Sequence, residues 1–202
     1  MDIFIRTCNK KLTPAEVVAI DRVVIGIMGR IGSGKSEASR YIAKKFGGRV
    51  FRFSDVLRDI LARLYLPLSR ENFIALGTAL RSAFGNGIIA GALKRDILAS
   101  EASVVVVDGV RYPEEVEMVR SFEKSILIYI DASPEVRYQR AVKRGERGEA
   151  GLSYEEFLKN DAAETEKRIA ELAKLADYRI DNNRDLEELH AALDGVLERV
   201  VD

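Results

Sequence analysis

The sequence predicts an α/β fold of about five parallel strands with helices on both faces of the sheet. Three observations predict it. Short apolar runs alternate with helix-forming segments along the chain. Two of those runs, at 23–28 and 104–107, are apolar almost without interruption, as strands covered on both faces require. The first of them leads into a glycine-rich loop that opens a helix, and strand ends of this kind face the ligand crevice of an α/β sheet. The 202 residues suffice for one domain with a sizeable core.

The elements follow in order. Residues 1–22 form an N-terminal extension, in which Thr13-Pro14-Ala15-Glu16 reads as a helix start with Thr at the N-cap, Pro at N1 and Glu at N3. The main domain covers 23–202. Its first strand and loop lead to a helix over about 35–46 that stops before Gly47-Gly48. A second strand covers 50–53. Ser54 or Asp55 can cap the next helix, which runs to about Leu66 and is stopped by Pro67. Helices at 69–84 and 86–100 flank Gly85-Asn86-Gly87. The strand 104–107 ends in Asp108, and Pro113 opens a helix. The strand 125–130 ends in Asp131, and Ser133-Pro134 starts a helix to about Arg144. A polar stretch then breaks the pattern. Residues 153–175 are helical behind a capping box of Ser153 and Glu156. A short strand at 178–180 and a helix at 184–200 close the chain.

Composition excludes several classes of function. Lys+Arg and Asp+Glu balance at 32 each, so no global charge draws the protein to nucleic acid or to an anionic membrane. Cys8 is the single thiol, which rules out an intramolecular disulfide and suits a reducing compartment. One Cys and one His, His190, cannot build a His/Cys zinc site. His190 reads as a surface residue of the last helix. No apolar run reaches membrane-spanning length, and the first residues lack the apolar core and cleavage site of a signal peptide. These features point to a cytoplasmic protein, a monomer or a homodimer, with no nucleic-acid or membrane partner.

The loop Gly29-Arg30-Ile31-Gly32-Ser33-Gly34-Lys35-Ser36 matches G-x-x-x-x-G-K-[ST]. A polyphosphate must be wrapped by donors. Glycines let the backbone curl so that its N–H groups turn inward, and the following helix aims its positive end at the same place. The loop therefore predicts a P-loop NTPase fold that binds ATP with Mg²⁺ through residues Gly29 to Glu37. Lys35 reaches the terminal phosphates and Ser36 offers a hydroxyl to the metal. Asp108, at the end of an all-valine strand, is placed to hold Mg²⁺ through its water shell.

Acceptor-side candidates cluster near the same strand ends. Asp55 either orients or deprotonates an acceptor hydroxyl or simply caps its helix. Arg58, Arg81 and Arg111 are candidates for an anionic acceptor. Arg137, Arg140 and Arg144 share a helical face, and Arg147 follows in a stretch with glycines at 145, 148 and 151. Residues 144–152 thus read as a small lid that excludes water and brings Arg140 and Arg144 to the transferring group.

Taken together, these residues resemble the small P-loop kinases of the nucleoside monophosphate kinase superfamily. The loop 31–36 and the tail Ala176-Asp177-Tyr178-Arg179-Ile180-Asp181-Asn182 are similar to dephospho-coenzyme A kinase. That resemblance implies that Asp55 is an acid near the acceptor hydroxyl and that Asn182 lies near the adenine. The segments Leu76-Gly77-Thr78-Ala79-Leu80-Arg81 and Asp108-Gly109-Val110-Arg111-Tyr112-Pro113-Glu114-Glu115 look like deoxynucleoside monophosphate kinases, which implies an active-site role for Arg111 and Glu115. The expected activity is transfer of the γ-phosphoryl group of ATP to a small nucleotide-like acceptor, in a mechanism that uses Lys35, Asp55, Asp108, Arg111 and Arg144. The alternative is a P-loop ATPase that switches a protein partner. A GTPase is disfavoured, because no N-K-x-D motif is present.

Overall fold

The computed structural model describes residues 21–145, 151–162, 168–169 and 171–201. The Thr13 helix start, Cys8, Arg147 and the centre of the 144–152 stretch lie outside them.

Five strands make one parallel sheet: β1 (Val23–Met28), β2 (Arg49–Arg52), β3 (Val104–Asp108), β4 (Lys124–Asp131) and β5 (Tyr178–Asp181), in the order β2-β3-β1-β4-β5. The helices among the described residues are α1 (Lys35–Lys45), α2 (Phe53–Arg63), α3 (Arg70–Phe84), α4 (Ile88–Ala99), α5 (Pro113–Arg120), α6 (Pro134–Arg144), α7 (Tyr154–Asp161) and α8 (Leu186–Leu197). None of them alone is long and apolar enough to cross a membrane.

The apolar runs of β1 and β3 serve both faces at once. Val24, Met28, Val105 and Val107 pack with α2, α4 and α5, while Ile25, Ile27, Val104 and Val106 pack with α1 and α8. This is why neither run alternates with polar residues. The chain crosses the sheet in opposite directions after β1 and after β3. The carboxyl ends of these two neighbours therefore flank the crevice where such folds bind ligands.

Three boundaries differ from the sequence reading: the helix expected over 153–175 stops in α7 at Asp161, and the other two are the ends of α2. β2 ends at Arg52, and Phe53 already begins α2, so neither Ser54 nor Asp55 is the N-cap. Starting the helix there sets Phe53, Leu57 and Leu61 at four-residue spacing, and all three are buried. α2 also stops earlier than Leu66. Tyr65 adopts φ 56, the Tyr65 N–H donates to the Ala62 carbonyl and the Leu66 N–H donates to the Leu61 carbonyl. That pattern is a Schellman ending, which normally places glycine at the left-handed residue.

Candidate functional site

β1 delivers the glycine-rich loop to the crevice, and α1 leaves it with its positive end toward the loop. Gly32 and Gly34 have φ of 77° and 101°, in the left-handed region. A Cβ at Gly32 would lie 2.4 Å from the Arg137 carbonyl oxygen, and one at Gly34 would lie 2.2 Å from Asn182 Nδ2. Both positions thus need glycine for conformation and for space. Lys35 is 9 % exposed, and its Nζ donates to the Arg30 carbonyl at 2.7 Å, so the side chain folds back over the loop. The Glu37 carboxylate pairs with Arg40 at 2.5 Å and lies 3.8 Å from His190 of α8.

Asp108 stands on the strand next to β1, paired in register with Ile27. Its Oδ2 accepts from Ser36 Oγ at 3.1 Å and from Arg52 Nε at 3.2 Å. A hydroxyl and a carboxylate oxygen converge here, and both are hard donors of the kind Mg²⁺ takes. Among the described residues no group of three or more His, Cys, Asp or Glu could hold a metal alone. The donor set fits a metal that completes its shell with phosphate oxygens and water.

A second group of residues braces the loop. Arg137 of α6 is 2 % exposed and grips Asp161 of α7 with two hydrogen bonds, 2.5 and 2.8 Å. Arg30 of the loop donates to the same carboxylate at 2.9 Å. Burial opposes charge on Asp161, but the hydrogen bonds and charge of Arg137, helped by Arg30, hold its carboxyl below the ordinary value. From the other side, Asn182 Nδ2 donates to the Ser33 carbonyl at 2.8 Å, and Arg140 donates to the carbonyls of Asn182 and Arg184 at 2.8 and 3.0 Å. The spacing that groups Arg137 with Arg140 and Arg144 therefore mixes unlike residues. Arg137 is buried in the brace, Arg140 ties α6 to the turn after β5, and Arg144 ends α6 at the surface. Asp161 carries no sequence signal, because its partners lie 24 and 131 residues away.

The acceptor-side candidates separate into two groups. Arg81 stacks on the Tyr112 ring at 4.0 Å and reaches Glu115 at 3.6 Å, while the Arg111 N–H donates to Glu115 at 2.7 Å. Arg81 Nε is buried with no hydrogen-bond partner among the described residues. Burial pushes the Glu115 carboxyl up to about 7, against the Arg111 N–H and the charges of Arg81 and Arg111. Asp55 and Arg58 instead pair with each other on the more exposed side of α2. Asp55 also lines a cavity of about 370 Å³ along the outer edge of β2, with Arg49, Arg52, Asp59 and Asp96. A second cavity, about 380 Å³, lies beside the loop between Arg30, Tyr129, Asp131, Arg137 and Arg179. His190 is half-buried rather than a plain surface residue, stacked on Tyr41 at 3.8 Å between α8 and α1.

Comparison with known proteins gives the family and the fold. The AAA domain family model matches residues 25–167. A UPF0200 protein of Hyperthermus butylicus is 32 % identical over 179 residues, spanning 89 % of this chain and 95 % of that one. A UPF0200 protein of Methanoculleus marisnigri is 37 % identical over 178 residues, spanning 88 % and 96 %. The chain belongs to the UPF0200 family and contains an AAA domain.

The fold is similar to shikimate kinase from Bacteroides thetaiotaomicron, with a TM-score of 0.58 at 15 % identity over 89 % of this chain and 99 % of that one. It is also similar to a gluconokinase from Sinorhizobium meliloti, with a TM-score of 0.53 at 17 % identity over 90 % and 97 %. The UPF0200 chain thus has a P-loop kinase-like fold, the level at which the resemblance read from the sequence holds.

Proposed function

We propose that this UPF0200 protein is an ATP-dependent kinase that transfers the γ-phosphoryl group to a small nucleotide-like acceptor, such as a nucleoside or deoxynucleoside monophosphate or dephospho-coenzyme A. The observation that carries the reading is the convergence of Lys35, Ser36, Asp108 and the braced loop on one crevice, with Arg81 of α3 meeting Glu115 in the helix that follows β3. Ser36 and Asp108 would hold Mg²⁺, which supplies charge neutralisation on the phosphates when bound. Residues Gly29 to Gly34 cradle the phosphates, and Lys35 leaves the Arg30 carbonyl to meet them. Arg81 and Arg111 bind the anionic group of the acceptor. In this reading Asp55, on the wall of the cavity that Arg52 also lines, parts from Arg58 to orient the acceptor hydroxyl. Arg140 and Arg144, with the lid at 144–152, exclude water. Catalysis is positioning and electrostatics, without a covalent intermediate.

The match to the AAA domain family favours one rival reading, an ATPase that switches a protein partner. ADP release from Mg·ATP separates the two. The assay is run without acceptor and then with nucleoside monophosphates, dephospho-coenzyme A, shikimate and gluconate, with product mass measured. One acceptor that raises turnover well above background supports the kinase and identifies its substrate. Rapid hydrolysis indifferent to every acceptor supports the switch.

A further inference from the structure

Arg52 is absent from every motif in the sequence, yet it touches the centre of the site. It is the last residue of β2, and the strand register sets it directly beside Asp108. Its Nε donates to Asp108 Oδ2, the same oxygen that accepts from Ser36. The Asp108 side chain is 6 % exposed and that of Arg52 is 36 % exposed. The bond to Asp108 is a side-chain bond, from the guanidinium to the carboxylate.

A nearly buried carboxylate needs a positive partner, because an unpaired charge out of water is costly. Asp108 has a guanidinium in direct contact on one oxygen. That oxygen also accepts from Ser36, and Ser36 and Asp108 are the residues that would hold the metal.

We propose that Arg52 is a resident cation on Asp108, a positioning residue that holds and aims this carboxylate while no metal is bound. Arg52 thereby competes with the divalent ion and sets the Mg²⁺ requirement of nucleotide binding. Free metal meets an Asp108 that is already paired. A metal arriving with a polyphosphate gains extra oxygen ligands and displaces the guanidinium. The protein is loaded by the metal–nucleotide complex rather than by metal first. This inference rests on the ATP-binding reading above.

The test measures equilibrium binding of ATP against Mg²⁺ concentration, with Mn²⁺ binding followed by electron paramagnetic resonance in the absence of nucleotide. Arg52→Met uncovers Asp108. Its half-saturating Mg²⁺ concentration for ATP binding is expected to fall about three- to tenfold, and Mn²⁺ binding without nucleotide is expected to rise, on the scale of one partly buried ion pair. Arg52→Lys keeps a cation and is expected to stay close to the wild type in both. A merely structural role would lower the melting temperature and leave the metal midpoint in place. Equal midpoints in R52M and wild type overturn the inference, as does a higher midpoint in R52M. Tight Mn²⁺ binding to the nucleotide-free wild-type protein overturns it even where R52M fails to fold. A wild-type protein that binds no ATP at any Mg²⁺ concentration overturns the kinase reading instead.

Discussion

The two sides of the crevice are built differently. On the nucleotide side, the loop is held from above by Asp161 through Arg30 and Arg137, and from below by Asn182 through the Ser33 carbonyl. These groups are largely buried and joined by short hydrogen bonds. On the side proposed for the acceptor, α3 is fifteen residues long and only Gly77 is fully buried in it. Tyr65, Ile74 and Phe84 are 89 %, 59 % and 69 % exposed there, and the Asp55–Arg58 pair is partly solvated. A rigid cradle suits a ligand of constant shape, such as a triphosphate. A loosely covered helix pair suits a site that closes around its acceptor.

Breaking the brace should have the largest effect on stability. Asp161→Ala leaves the buried Arg137 without its carboxylate, and we expect a loss of about 3–5 kcal/mol in urea unfolding. A loss below ~1 kcal/mol would mean that the brace is not rigid in solution.

Lys35→Met separates chemistry from bracing. Turnover of ATP should fall about 10²–10³-fold, as for removal of one preorganised transition-state donor. The unfolding midpoint should stay close to that of the wild type. A drop in stability comparable to that of D161A would place Lys35 in the brace.

The two sides should also answer pH in opposite directions. The Asp161 carboxyl lies below its unfolded value of 3.8, so its contribution is present above that value and lost as pH falls. The Glu115 carboxyl lies above its unfolded value, so its contribution is complete below 4.5 and lost as pH rises to about 7. That swing is on the order of 2–3 kcal/mol. Glu115→Gln keeps an acceptor for the Arg111 N–H and should flatten the slope between pH 4.5 and 7 in a stability–pH series. An unchanged slope would show that Glu115 is already ionised in the folded protein.

The smallest effect sharpens the picture of the loose side. Tyr65→Gly relieves a left-handed residue and removes a side chain that is 89 % exposed, so it should stabilise the protein by about 1 kcal/mol. Destabilisation in thermal melts would indicate that the Tyr65 ring packs against something in solution.

The parts legible in the sequence were those determined by local chemistry. The valine run and its terminal Asp108, the glycines of the loop, and the N-caps at Ser133 and Ser153 follow from strand periodicity, backbone sterics and helix-end hydrogen bonding. Each needs only neighbouring residues, so each could be read before any fold was known. The N-cap at Ser54 or Asp55 fails because a local preference for capping loses to the burial of Phe53 at the start of α2. Arg137 was grouped with Arg140 and Arg144 because helical spacing reports direction around an axis and not what stands opposite.

The sequence by itself determined the fold class and the phosphate loop. Tertiary structure alone decided which charges meet. Arg52 reaches Asp108 across 56 residues, Arg137 reaches Asp161 across 24, and Asn182 reaches the Ser33 carbonyl across 149. Those separations are bridged by strand order and helix packing. A pairing between distant charges leaves no periodic trace in the chain, because its energy depends on burial and distance, and both exist only after the sheet has formed.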